Sequence, residues 1–277
     1  MRRRRERAAH ARGLSDTWVI KRSGEREQFD RTKTKNAVMR AGVPASEADE
    51  LVETLVPQLY DGITTEEIYR RVHDMLKGRR QARYGLKKAI LRLGPEGENF
   101  ERFMAHLFQA EGFETRNRVM MQGKCVQHEV DVLMRRGTED VMVECKFHNS
   151  LGIKCAIQCA LYTQARFNDL TENGHLDHAI LVTNTRFTSD VERYAACVGM
   201  RLLGWHTPEG NGIEEMVERH HLYPISLLEM RRHDLMTLLE AGIVVTSEVL
   251  ESRDKVQRLL SRDAAEDVIR QAEDLAQ

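Results

Sequence analysis

The chain has 277 residues, enough for about two domains, and balances 42 Lys and Arg against 43 Asp and Glu for a formal net charge of −1. No run of about 18 apolar residues occurs, which argues against a membrane-spanning helix, and the opening residues lack the apolar stretch of a signal peptide. The near-neutral total does not exclude nucleic acid, because local patches matter more.

Taken in chain order, the first twelve residues carry six arginines against Glu6, and residues 1–17 are expected to form a disordered basic arm or, equally, a solvated tail without specific function. Trp18-Val19-Ile20-Lys21-Arg22 and Arg26-Glu27-Gln28-Phe29-Asp30 flank Ser23-Gly24 and predict a β-hairpin. Helical spacing follows over roughly 31–41, closing at Gly42. A second helix capped by Ser46 is expected to reach about Tyr60, a third opens at the Thr64/Glu67 capping-box pattern and runs to about Leu76, and a fourth spans about 81–93. Gly94-Pro95-Glu96-Gly97 breaks the pattern and is read as the boundary that closes a domain over 18–94.

A second domain is expected over 96–206. Phe100, Phe103, Met104, Leu107 and Phe108 make one apolar helical stripe that ends at Gly112. Strands are expected near 113–121, 128–135 and 140–147, then a helix over about 153–169, the apolar strand 179–183, a helix over 188–198 and a short strand over 201–204. The order α-β-β-β-α-β-α-β describes a three-layer α/β unit with a mixed sheet. Residues 213–277 read as a helical C-terminal region. Within it Leu238–Leu250, beside Arg231, Arg232 and His233, is faintly similar to a helix-hairpin-helix, with a packing or oligomerisation element as the alternative.

Two of these strands carry the chemistry. Asp131 stands in one and Glu144-Cys145-Lys146 in the next, thirteen residues on. Side chains alternate along a strand, so Glu144 and Lys146 share a face while Val141, Val143, Cys145 and Phe147 can enter a core. Two carboxylates and an ammonium at a sheet end suit metal-assisted phosphodiester hydrolysis, with the carboxylates holding Mg²⁺ and the lysine aligning or activating the attacking water. A Glu-x-Lys in a strand is a weak signal alone; Asp131 in a second strand strengthens it. The opposing possibility is a set of surface charges on a half-exposed sheet, which the cost of burying unpaired carboxylates argues against. The five cysteines include no CxxC pair, which suits a reduced, cytoplasmic protein; Cys155 and Cys159, four apart, are read as buried thiols in preference to zinc ligands.

The stretches Asn99-Phe100-Glu101, Glu111-Gly112-Phe113, His128-Glu129-Val130-Asp131, Val143-Glu144-Cys145-Lys146, Gln158, Leu181–Thr188 and Gly199–Leu203 together resemble the Mrr-like branch of the restriction endonucleases, in the PD-(D/E)xK superfamily. The resemblance implies Asp131 and Glu144 as metal ligands, Lys146 at the water, and, less directly, Glu101 and Gln158 as catalytic. The chain departs from the branch at Gln127-His128-Glu129-Val130-Asp131, where many relatives have a glycine-rich stretch; His128 is read as a strand-end surface histidine, with a phosphate contact or proton relay as the alternative.

Residues 18–93 resemble the ATP-cone, a small regulatory nucleotide-binding domain, through Val19–Gly24, Glu27–Lys33 and Tyr60–Ile68. The resemblance implies ATP or dATP at Val19, Lys21, Arg22, Glu27, Lys33 and Thr65. The cations Lys21, Arg22 and Lys33 suit a triphosphate, and no P-loop pattern occurs anywhere.

The expectation is a multidomain α/β protein: an ATP-cone of a hairpin with helices, a restriction-endonuclease-like domain with a mixed sheet, and a helical C-terminal region. Its expected function is Mg²⁺-dependent DNA endonuclease activity regulated by ATP, in DNA restriction or repair, with a homo-oligomer compatible with the sequence. The alternative is a nucleotide-responsive DNA-binding regulator with a silent nuclease fold.

Overall fold

The computed structural model describes residues 17–150, 152–172 and 176–276. The expected basic arm therefore lies, apart from Thr17, outside the described residues. The chain divides into two compact units, one ending at Gly85 and the other beginning at Leu86.

In the first unit, β1 (Trp18–Ile20) and β2 (Arg26–Gln28) form the expected antiparallel hairpin, with Trp18 opposite Gln28. β3 (Ile63–Thr64) joins the other edge of β1 in parallel. Two residues are too few to show a period in sequence, and no strand was expected there. The Asp61 carboxylate fixes this edge by accepting from the Trp18 amide at 2.9 Å. Asp30 caps α1 (Arg31–Arg40), accepting from Lys33 N. α2 (Ala45–Leu55) departs from expectation at both ends. Pro44 holds its N-cap position, so Ser46 lies inside the first turn and does not cap. The helix stops at Leu55 rather than Tyr60, because Pro57 has no N–H to continue the ladder and the chain tightens into one 3₁₀ turn, Val56–Gln58. α3 (Thr65–Met75) carries the complete capping box: Thr64 Oγ1 accepts from Glu67 N at 3.1 Å, and Thr64 N donates back to Glu67 Oε2 at 3.1 Å. Val19, Val38, Leu55, Ile63 and Val72 meet in this unit's core. α4 (Gly78–Leu91) starts three residues before the expected Gln81, and the junction of the two units falls within it.

The second unit follows the expected order: α5 (Glu98–Ala110), β4 (Glu114–Gln122), β5 (Gln127–Arg136), β6 (Glu139–Lys146), α6 (Ile157–Thr171), β8 (His178–Thr183), α7 (Ser189–Val198) and β10 (Arg201–Leu203). An unexpected parallel ladder pairs β7 (Lys154–Cys155) with β9 (Arg186–Phe187), which holds residues 154–155 extended and delays the start of α6 from 153 to 157. The main sheet runs β10-β8-β6-β5-β4, antiparallel through β4, β5 and β6 and parallel through β6, β8 and β10. β6 and β8 lie at its centre with Val141–Cys145 and Ala179–Thr183 buried, as befits strands covered on both faces.

The C-terminal segment supplies α8 (Ile213–His220), α9 (Arg232–Glu240), α10 (Thr246–Glu251), α11 (Arg253–Leu259) and α12 (Arg262–Ala276). α9 and α10 are joined through Gly242 at φ 83°, which matches the outline of a helix-hairpin-helix. Its phosphate-binding chemistry is absent, however, because the turn's amides are already bonded. Gly242 N and Ile243 N donate to Leu239 O and Leu238 O, and Val244 N and Val245 N both donate to Glu248 Oε2. The segment packs on α5 instead: Glu248 Oε1 lies 3.2 Å from His106 Nε2, and Glu111 Oε1 lies 2.7 Å from both Arg219 Nη1 and His220 Nε2.

The tip of the β4–β5 hairpin is held by α6. Asp169 accepts from the amides of Cys125 at 2.8 Å and Val126 at 3.3 Å and lies 2.8 Å from His128 Nε2, while its backbone oxygen accepts from Lys124 N. A Cβ on Gly123 would stand 2.1 Å from Asp169 Oδ2, so only glycine fits beneath that carboxylate. His128, read as a surface histidine, is half-buried in this clamp. Asp169→Ala is expected to bring the Cys125 and Val126 amides into fast hydrogen exchange while the β5 and β6 amides stay protected, as read by exchange mass spectrometry.

Candidate active site

The sheet forks at the sequence-predicted residues. The β5–β6 ladder runs from Arg136↔Glu139 to Val132↔Val143 and stops there, one pair short of Asp131 and Glu144. β6 stays paired with β8 through Glu144↔Leu181 and Lys146↔Thr183, so it is β5 that peels away. The opened position is filled by a side chain: Asp131 Oδ2 accepts from Cys145 N at 2.7 Å.

Glu144 is 2% exposed, and a carboxylate so deep needs compensation. It has two cations, Lys146 Nζ at 2.6 Å on Oε1 and the Arg166 guanidinium on Oε2. Arg166 comes from α6, is itself buried, and spends its other terminal nitrogen on the backbone oxygen of Glu129. The Tyr162 ring lies 5.3 Å from both Lys146 Nζ and Arg166 Cζ. Neither Tyr162 nor Arg166 was anticipated from sequence. The available signal was helical spacing: Gln158, Tyr162 and Arg166 recur every four residues along α6, so the stripe that begins at the expected Gln158 continues into the site. Gln158 itself is exposed on the first turn.

Glu101 projects from the first turn of α5 and is half-buried. Burial, then the charge of Asp131, pushes its carboxyl up to about 7, against the opposing charge of Arg118. Burial, then the charge of Glu144, pushes Asp131 up to about 6, with the Cys145 amide, Arg166 and Lys146 pulling the other way. Burial would lower Lys146, but its hydrogen bond to Glu144 and the nearby carboxylates outweigh that and raise it. Lys146 therefore remains an ammonium near neutrality, suited to orienting a water or a phosphate oxygen and not to removing a proton.

These carboxyls are hard oxygen donors, and the charge of Asp131 hinders the ionisation of Glu101 as that of Glu144 hinders Asp131, which is the donor chemistry that Mg²⁺ or Mn²⁺ takes. Glu101, Asp131 and Glu144 are nonetheless not drawn into one cage. Among the described residues, the group of three possible ligands whose atoms all lie within 4.8 Å of one another is His206, Glu214 and Glu215. Cys155 is fully buried and Cys159 half-buried, as expected of ordinary thiols.

The rim of the fork is strained. Register puts Arg118 of β4 opposite Asp131, between Asn117↔Val132 and Val119↔Val130, yet that pair is missing from the ladder and Arg118 adopts φ 53°. A non-glycine residue held there costs about 1 kcal/mol or more. Its guanidinium reaches Glu98 Oε2 and Glu129 Oε1, each at 3.1 Å.

In the N-terminal unit, Glu27 lies between two of the expected nucleotide-binding cations, 2.9 Å from Lys21 Nζ and 3.2 Å from Lys33 Nζ. The hydrogen bond from Lys21 holds the Glu27 carboxyl below its usual range, with burial opposing it and the bond from Lys33 adding to it. Arg22 is exposed in the hairpin turn, and Thr65 is exposed as the first residue of α3. Val19 is 3% exposed and belongs to the core, so its side chain offers a nucleotide no surface.

Comparison with known proteins agrees with both units. The family model for the ATP cone domain matches residues 17–92, and that described as restriction endonuclease matches residues 94–206. An uncharacterized protein of Archaeoglobus fulgidus is 40% identical over 171 residues, covering 61% of this chain and 97% of that protein. The crystal structure of a protein of unknown function, AF1548, is similar with a TM-score of 0.59 and 37% identity, covering 64% of this chain and 97% of that one. The chain thus belongs to the proteins that join an ATP-cone domain to an Mrr-type restriction endonuclease domain.

Proposed function

We propose that this protein is a divalent-metal-dependent DNA endonuclease whose activity responds to ATP or dATP bound by the ATP-cone, acting in DNA restriction or repair. The observation that carries the reading is the fork in the sheet, where Asp131, Glu144 and Lys146 stand together with Glu101 beside them. Asp131 and Glu144 would hold Mg²⁺, which when bound lowers the pKa of a coordinated water and offsets charge on the scissile phosphate. Lys146, kept protonated by Glu144, orients the water or a phosphate oxygen. Arg166 fixes the Glu144 carboxylate, and Glu101, with its raised pKa, is placed to take up a proton near neutrality.

One observation favours a second reading, a DNA-binding regulator with a silent nuclease fold: both Glu144 oxygens are already paired with cations. Cleavage separates the two. With Mg²⁺ or Mn²⁺ the parent is expected to nick or cut plasmid DNA, and Asp131→Ala or Lys146→Ala to lower the rate by about 10²-fold or more. Retention of DNA without cleavage under any divalent ion selects the regulator. Cleavage by both variants at the parent's rate sinks the site assignment.

The raised carboxyls give a signed pH effect. In the metal-free protein Glu101 and Asp131 hold protons in the folded state that the unfolded chain has released, so their contribution to stability falls as pH rises from about 4 to about 7. Melting in EDTA at pH 5 and pH 8 is expected to show a smaller loss in Glu101→Gln and Asp131→Asn than in the parent. Cleavage, which needs Asp131 ionised to hold metal, is expected to rise with pH at limiting metal.

The nucleotide reading rests on the lysine pair around Glu27, which a triphosphate can recruit. Lys21→Ala and Lys33→Ala are each expected to weaken ATP binding about tenfold, measured with a fluorescent ATP analogue. Unchanged affinity in both variants would remove these lysines from the nucleotide site.

A further inference from the structure

We propose that Arg118 grips a phosphate of the DNA strand next to the one that is cut, an assignment that rests on the nuclease reading. Arg118 lies opposite Asp131 by register, and its ladder pair is broken there. Its two carboxylate partners bracket the site: Glu129 is two residues before Asp131 on the same strand, and Glu98 is one helical turn before Glu101. Its charge reaches far enough to oppose the rise in the Glu101 pKa. The cation therefore stands at the edge of the carboxyl cluster, and its side chain is 48% exposed.

What keeps an arginine at φ 53° is not its packing in the free protein. The side chain is half in solvent, and exposed ion pairs contribute little to stability. Glycine would adopt this backbone without strain. A ligand that needs the guanidinium accounts for the residue, since strained conformations persist where function selects them. Among ligands of a nuclease, a phosphodiester presents the paired oxygens that a guanidinium fork binds. In the free protein Glu98 and Glu129 occupy that fork, and a phosphate would take their place. The opposite charges of Arg118 and the carboxylates also let DNA approach the cluster before metal neutralises it.

The experiment uses the full chain in EDTA, to suppress cleavage without altering the site, and compares it with the same chain carrying Arg118→Gly or Arg118→Lys. Melting temperature and binding of a fluorescein-labelled duplex are measured over a salt series. Arg118→Gly is expected to melt no lower than its parent, and by up to about 2–4 °C higher, because strain is released. It is expected to bind the duplex about tenfold more weakly, with the slope of log affinity against log salt reduced by about one. Arg118→Lys, which keeps a point charge and loses the fork, is expected to bind with intermediate affinity. An unchanged affinity and salt slope in Arg118→Gly overturns the assignment, whatever the melting temperature does. A parent that binds no duplex at any salt overturns both the assignment and the nuclease reading beneath it.

Discussion

Glu144 sits almost without exposure in the central strand of the sheet, and its charge is tolerable only because cations arrive from two elements. Lys146 comes from the same strand, two residues on, as alternation allows. Arg166 comes from α6, across the face of the sheet, and also holds the Glu129 carbonyl of the strand that peels away. Removing one partner of such a pair costs about 3–5 kcal/mol, because the remaining charge is stranded. The protonation of Lys146 and the anchoring of Arg166 therefore depend on one carboxylate. An incoming divalent ion would meet a net positive charge on that side, one carboxylate against two cations, and would have to share Glu144 with Lys146 and Arg166.

Much of this was legible in the chain. Asp131 and Glu144-Cys145-Lys146 lie in apolar strands, and the residues around them carry the restriction-endonuclease resemblance. The capping box at Thr64 and Glu67 is a local interaction within four residues, and it forms as written. Illegible elements were those fixed by distant partners. β3 and the β7–β9 ladder are two-residue strands that exist because of what they pair with. Arg166 shares a four-residue spacing with Gln158 and Tyr162, but its burial against Glu144 shows only in the structure. Ser46 failed as a cap because Pro44, with its fixed φ, took the position first. Val19 belongs to the nucleotide-binding resemblance by position, while its side chain belongs to the core.

Both units keep cations beside carboxylates. In the ATP-cone, Glu27 holds Lys21 and Lys33 together. At the rim of the fork, Glu98 and Glu129 hold Arg118. On the proposed reading such pairs would keep long side chains ordered where a polyanion needs them, so less entropy would be lost on binding. They would also set a competition, in which each phosphate must displace a carboxylate, and this would favour ligands that bring several phosphates at once.

The helices beyond residue 206 have a role that similarity alone does not reveal. The restriction endonuclease match ends there, yet the compact unit runs from Leu86 to the end of the chain. Glu248 and the pair Arg219 and His220 clasp α5 at His106 and Glu111, on the helix that carries Glu101. A fragment cut at the family boundary would lose the partners that hold that helix from outside, so the smallest piece that can be expected to fold is larger than the matched domain.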